Sequence, residues 1–537
     1  MTIRTRVIAF AAVAAAAAVA LIATGCGDEA SADASGAPAE VATLIPADSP
    51  LYVELNTDPG DIQWSQALAL AKRFPAYGEL EQRFREELTE AGLDFDRDIR
   101  PLLGGRAAIA AAGAVDVAEA TTPDGGVGVA RDTGFIAVLQ LEEGQDETVA
   151  ELITREGDLV EAGEHNGVTY YRDDDDTVGA IADGFLVIAD SERNLFTALD
   201  LIAGSGDALS GVDKFSDALG GLPEGALMRM YLDIGGLAKG SLESVDQIQG
   251  MGLGIQDIEN AAMGAVALAE DDGVRVKGQL VGAGEAAAAA PEFTPTLTGQ
   301  VPSDAVAYVG ISDLATQLGA AVDQLQAQDG TDVATQLEQA SGQLEAFLGI
   351  TVDDLRALTS GEHAVVVRAE GSKAGVAGIL QVEDGARAQQ TLDSLRQALP
   401  GLAGLAGGAA GEVPELTPVP LDDGVTGWGA QLDDDVSLVY GVDGNSVLVG
   451  SSAGAVRAVQ SPDAPLADDP DFVADTAGMP ESVSALAWID VQGLVDLLEA
   501  NASLDAADAA QIAPLKSITM WSTGGSEPGF EAFLRIG

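Results

Sequence analysis

The sequence predicts an α+β fold made of two tandem homologous modules, each an antiparallel sheet with helices packed on it. Three observations predict it. A series of short motifs recurs in the same order in both halves of the chain. Short apolar or alternating runs bounded by Asp-Gly pairs have the period of strands. Longer stretches between them carry apolar residues at helical spacing.

The repeat begins with Leu44-Ile-Pro-Ala-Asp-Ser-Pro-Leu-Tyr-Val53, which returns as Gln300-Val-Pro-Ser-Asp-Ala-Val-Ala-Tyr-Val309; Pro46 and Pro302, Asp48 and Asp304, and Tyr52 and Tyr308 are each 256 positions apart. Leu93 to Arg100 then matches Leu348 to Arg356 with one residue inserted, and Leu139 to Glu142 matches Leu380 to Glu383. Asp183-Gly184 corresponds to Asp443-Gly444, and the run from Pro223-Glu224 to Asp233-Ile234 corresponds to that from Pro480-Glu481 to Asp490-Val491. Collinear matches of this extent define modules at 44–282 and 300–537. Ala283 to Gly299, with an alanine run followed by Pro291 and Pro295, has the composition of a linker. Val274 to Val281 and Phe530 to Gly537 alternate like strands, each expected to finish its own module.

Within the first module, Leu51 to Leu55, Phe185 to Ala189 and Ala226 to Leu232 read as strands. Trp64 to Ala91 reads as helix broken or kinked at Pro75, and Thr148 to Leu159 and Asn194 to Ile202 as further helices. The Asp-Gly pairs at 183–184, 272–273 and 443–444 sit between strand-like runs, where both residues tolerate the positive φ of a hairpin turn.

Ahead of the modules, Arg4 and Arg6 precede an alanine-rich apolar stretch, and no acid appears before Asp28. A basic start, an apolar core and small residues mark a secretory signal over residues 1–25. Leu21-Ile-Ala-Thr-Gly-Cys26 resembles the lipobox of bacterial lipoproteins, with Ala23 where leucine is usual. That resemblance implies that the Cys26 thiol receives a diacylglycerol and becomes the first residue after cleavage. Cys26 is the only cysteine, so no disulfide within the chain is possible, and acylation would protect its thiol from oxidation. Residues 26–43, small, polar and acidic, read as a flexible tether. The expected location is the extracytoplasmic face of the cell membrane, with contact through the lipid alone.

Hydrophobic residues make up 47% of the chain but aromatics only 4%, so the core is aliphatic. A net charge of −60 repels phosphate backbones and anionic headgroups, which argues against nucleic acid as a partner.

The Leu-Ile-Pro-Ala-Asp motif before one strand and Asp98-Ile-Arg-Pro-Leu-Leu-Gly-Gly-Arg106 before the next resemble a bacterial domain-of-unknown-function family numbered 3352. The resemblance covers nearly all of the chain after the signal. It implies an envelope lipoprotein of the kind found in actinobacteria and other bacteria, and it supplies no activity.

Candidate chemistry is sparse. Gly450-Ser-Ser-Ala-Gly454 fits the G-x-S-x-G pattern of a nucleophile elbow between a strand and a helix. No histidine follows Ser452, and the first module keeps only the serine, in Ala189-Asp-Ser191-Glu-Arg193. A serine before a helix in both modules reads instead as an N-cap. His165 and His363, the only histidines, cannot build a zinc site with one acylated cysteine. His363 and Arg106 occupy matching positions at strand starts and suggest a salt bridge or strand-edge charge. The acidic runs Asp173 to Asp176, Asp433 to Asp435 and Asp468-Asp469 with Asp471 lack EF-hand spacing and read as solvated turns, with loose calcium binding the alternative. Gly250 to Gly254 and Gly401 to Gly411 read as flexible connections. The sequence therefore predicts no catalytic residues, no metal site and no cofactor. It predicts a non-enzymatic binding or assembly component of the envelope, whose partner is another envelope protein or a small ligand. A carrier or sensor of an apolar ligand is the alternative, and a serine hydrolase a remote one.

Overall fold

The computed structural model describes residues 39–90, 94–113, 134–142, 144, 145, 149, 160–174, 176–238, 259–284, 291–314, 351–405, 415–432, 437–525 and 528–537. The expected signal, Cys26, most of the helix expected at Thr148 to Leu159, Gly250 to Gly254 and Asp433 to Asp435 lie outside these residues. The fold is α+β, and every strand pairing within either unit is antiparallel. The chain divides into two compact units, residues 1–288 with 511–514 and 525–537, and residues 289–510 with 515–524.

The first unit contains β1 (Leu51–Asn56), β2 (Arg106–Ala112), β3 (Gly134–Gln140), β4 (Val160–His165), β5 (Val168–Arg172), β6 (Val178–Ala182), β7 (Phe185–Ala189), β8 (Met228–Asp233), β9 (Ala262–Ala269) and β10 (Gly273–Val281). They pair in the order β4-β5-β6-β7-β3-β2-β1-β8-β9-β10. The second unit contains β11 (Ala305–Ser312), β12 (Glu362–Glu370), β13 (Lys373–Gln381), β14 (Thr417–Pro420), β15 (Thr426–Gln431), β16 (Ser437–Asp443), β17 (Ser446–Gly450), β18 (Ala485–Asp490) and β19 (Leu515–Thr523). Their order is β14-β15-β16-β17-β13-β12-β11-β18-β19.

Local chemistry explains the connections. Asp183 and Gly184 both have positive φ, 49° and 79°, and close the two-residue β6–β7 hairpin with the right twist. Between β16 and β17 only Gly444 does, at 55°, so glycine opens that turn. The Leu-Ile-Pro motif is a structural bridge: Pro46 pairs with Ala208, and the Leu209 amide donates to Ile45 O at 2.8 Å. In the second unit Pro302 pairs with Pro465 and the Leu466 amide donates to Val301 O at 2.7 Å. Ile45 and Val301 are wholly buried, each in its unit's main core.

The helix expected over Trp64 to Ala91 is two helices, Ile62–Ala71 and Tyr77–Glu90, separated around Pro75 because its ring cannot continue the ladder. In the second unit the helix Val352–Thr359 opens on a capping box. The Thr351 amide and hydroxyl donate to Asp354, whose own amide donates back to Thr351 Oγ1 at 3.1 Å.

Four expectations are corrected. The tether ends earlier than residue 43, because Ala39–Ala42 form a helical turn and Val41 and Ala42 are buried in the first core. The linker is not free over its second half. Phe293 pairs with Val483, and buried Glu362 accepts hydrogen bonds from Thr296 N, Thr296 Oγ1 and Leu297 N, which seats Leu297 in the second core. Gly401 to Leu405 are the last turns of the helix Gly385–Leu405. The last strand, β20 (Gly529–Ile536), belongs to the first unit, where it pairs with β10 from Gly273↔Arg535 to Gln279↔Gly529. Side chains fix that edge: Glu531 takes Arg275 at 2.7 Å and Lys277 at 3.1 Å, Arg535 pairs with Asp272, and the Arg275 guanidinium lies 4.4 Å from the Phe533 ring centroid.

Two outcomes follow from this packing. Phe533 is 1% exposed, so Phe533→Ala leaves a cavity and costs about 3–5 kcal/mol. Hydrogen exchange should show the loss at the amides of Val274 to Val281, far away in sequence; unchanged protection there would refute the pairing. Hydrogen bonds from Thr351, then the Arg387 guanidinium, lower the Asp354 carboxyl from its usual 3.8 to about 2. Its folded value is depressed, so its stabilising contribution is complete above about pH 4 and is lost as pH falls through about 2. Carboxyl NMR titration of Asp354 should give that midpoint, and Asp354→Asn should remove the contribution.

Candidate functional site

The G-x-S-x-G stretch follows β17 and opens the helix Ala453–Gln460. Ser452 is extended (φ −156°, ψ 161°), and its Oγ accepts from the Ala455 amide at 2.9 Å, which makes it an N-cap. Its hydroxyl donates to the Glu370 carboxylate, 2.8 Å from Oε2. The two glycines have steric reasons. A Cβ on Gly454 would stand 2.6 Å from Glu370 Oε1, and one on Gly450 would stand 3.0 Å from Val376 O. The motif thus lets a carboxylate approach a helix N-terminus, where the unpaired amides favour negative charge. Ser191 caps Glu192–Ile202 in the same way, through the Asn194 amide at 3.4 Å.

Each histidine is held by other partners. His165 stacks on Phe196 with ring centroids 4.2 Å apart, its Nε2 2.8 Å from Asp200 Oδ1. Hydrogen bonds from His165 and then Asn166 hold the Asp200 carboxyl below its usual value. The pairing expected of His363 is corrected: it is buried, and its Nε2 donates to the Thr359 carbonyl at 2.9 Å rather than to a carboxylate. The two acidic runs that lie among the described residues hold their own backbone. Asp173 accepts from the Thr177 amide at 2.8 Å, and Asp469 caps Pro470–Asp475 through the amides of Asp471 and Phe472. Among the described residues no three His, Cys, Asp or Glu side chains gather as a metal site, and no helix is long and apolar enough to cross a membrane.

Buried charge gathers on β1, β2 and β8 of the first unit's sheet. β1 runs between β2 and β8, and its pattern turns Tyr52 and Glu54 to the main core. Glu54 is 2% exposed; its Oε1 accepts from Arg106 Nη1 at 2.7 Å and its Oε2 from the Tyr52 hydroxyl at 2.5 Å. Burial, then the Glu54 charge beside it, raise the Tyr52 hydroxyl well above its ordinary value, so it stays a neutral donor. Directly across from Glu54 on β8 is Arg229, 7% exposed, whose Nε and Nη1 are buried without a hydrogen-bond partner. Arg106 was singled out in the sequence; Glu54 and Arg229 were not. The signal was there: each is two residues from a buried tyrosine, Tyr52 and Tyr231, and so faces the same side of its strand.

Known proteins place the chain in a family without adding chemistry. No curated protein matches it. Solved structures of TP0453 in crystal forms III, IV and I match at TM-scores of 0.24, 0.25 and 0.24 with 12%, 13% and 12% identity. Those matches cover 46%, 44% and 46% of this chain and 80%, 79% and 79% of the other. Likeness at that level supports no statement about fold or function. The model of the family described as "Protein of unknown function (DUF3352)" matches residues 5–531, nearly the whole length, and the chain belongs to that family.

Proposed function

We propose that this chain is an exported, lipid-anchored envelope protein that works by binding or assembly rather than catalysis, built from two copies of one α+β module. The observation that carries the location is the single cysteine, Cys26, placed directly after Ala23-Thr24-Gly25 at the end of a basic-then-apolar leader. Processing leaves that cysteine first, a diacylglycerol thioether holds it in the membrane, and the acidic body stays in the aqueous phase. The duplication is supported by strand order. Replacing β4, β5, β6, β7, β3, β2, β1, β8 and β9 by β14, β15, β16, β17, β13, β12, β11, β18 and β19 reproduces the second unit's sheet term for term. The non-enzymatic reading is supported by Ser452, whose Oγ is engaged by Ala455 and Glu370 at a helix cap.

A second reading, a carrier or sensor of an apolar ligand, is favoured by one feature. Met520, Ala487, Val309 and Val365 line up across β19, β18, β11 and β12, and Met520, Val309 and Val365 are 44%, 43% and 50% exposed. Lipid co-purifying with the delipidated chain would favour that reading.

Intact-mass measurement of the native product should give a chain beginning at Cys26 with the added mass of a diacylglycerol. Cys26→Ala should leave an uncleaved, unlipidated chain, and an unmodified thiol in the native product would contradict the anchor. A fluorophosphonate probe should fail to label the chain, and Ser452→Ala should cost about 1 kcal/mol of stability through the lost cap. Labelling that disappears in Ser452→Ala would instead identify a hydrolase.

A further inference from the structure

The charged group at the centre of the first unit exceeds what its strand pairing requires. Arg106 and the Tyr52 hydroxyl occupy the two oxygens of Glu54. Arg229 is left beside them with Nε and Nη1 buried and unpartnered. Among the described residues, two guanidiniums against one carboxylate give a surplus of one positive charge in a region almost closed to water, the Arg106 side chain being 16% exposed. A buried cation without its counterpart is costly, and a bound anion can supply the missing charge.

The second unit shows that the sheet does not need it. There β11 lies between β12 and β18 as β1 lies between β2 and β8. Tyr308 faces Trp488 as Tyr52 faces Tyr231, but the next pair on that face is Gly310 and Leu486 where the first unit has Glu54 and Arg229. A Cβ on Gly310 would meet the Tyr308 hydroxyl at 2.2 Å, so the tyrosine itself fills the place of the glutamate. The same strand arrangement forms with no charge at either position.

We infer that Arg229 is the anchor of a binding site in the first unit for a small oxyanion carrying one negative charge, a carboxylate or a singly ionised phosphate group. Guanidinium donors match the oxygens of either, and one negative charge neutralises the group. Arg106 acts as a positioning residue: by engaging Glu54 it keeps that carboxylate from pairing with Arg229. The site deepens the binding reading above by naming a ligand class, and it is independent of the lipid anchor, which the mass measurement tests separately.

The test is thermal unfolding of the full chain in acetate, in inorganic phosphate and in chloride at matched pH and ionic strength, for the native protein, Arg229→Leu and Arg229→Lys. An oxyanion that binds the folded state raises the midpoint in proportion to the logarithm of its concentration above its dissociation constant. The native protein should show that rise in acetate, phosphate or both, relative to chloride. The rise should be absent in Arg229→Leu, which copies the second unit's residue, and weaker in Arg229→Lys, which keeps the charge without the planar fork. Acetate acting alone identifies a carboxylate, phosphate acting alone a phosphate group, and either supports the site. Equal midpoints in all three salts for the native protein, or an undiminished rise in Arg229→Leu, overturn it. If the leucine variant does not fold, the native titration and the lysine variant decide.

Discussion

A strand paired on both sides cannot slip. β1 is locked between β2 and β8, and a shift of one residue would turn its whole inward set outward. That register fixes Tyr52 and Glu54 on the core side and brings Arg229 opposite the glutamate. The charges are inside because the backbone ladders leave them nowhere else to point. Arg106 takes up the Glu54 carboxylate at 2.7 Å, which leaves the guanidinium of Arg229 across the ladder without it. β11 obeys the same constraint with a glycine and a leucine at the corresponding positions, so the constraint is common to both units and the chemistry belongs to one.

The remaining motifs resolve into architecture. Gly454 makes room for the Glu370 carboxylate at a helix end, and Ile45-Pro46 and Val301-Pro302 tie a loop to the start of each unit. Asp173 and Asp469 close turns on neighbouring amides. Arg229 is the residue that strand pairing and core packing do not account for.

Much of the fold was legible because it rests on short-range chemistry. Asp183-Gly184 announces a tight hairpin through its tolerance of positive φ, Pro75 separates two helices, and Ser452 and Ser191 cap helices where their hydroxyls meet free amides. The misjudged features depend on distant partners. The alternation of Phe530 to Ile536 identifies a strand but cannot say that its neighbour is β10. Phe293 and Leu297 looked like linker residues because only a folded core shows that they are buried. The β14 edge, Thr-Pro-Val-Pro, lacks the apolar alternation that reveals interior strands. Glu54 and Arg229 were hidden for the same reason: their opposition exists only once β1 and β8 are side by side.

Side-chain NMR of the arginine Nε–H groups at neutral pH reads out whether Arg229 is held inside the first unit as a sequestered cation. A sequestered Arg229 gives a resolved signal exchanging with water far more slowly than that of Arg83, whose side chain is 71% exposed. An Arg229 signal exchanging as fast as that of Arg83 would place the guanidinium in solvent and rule out the buried cation.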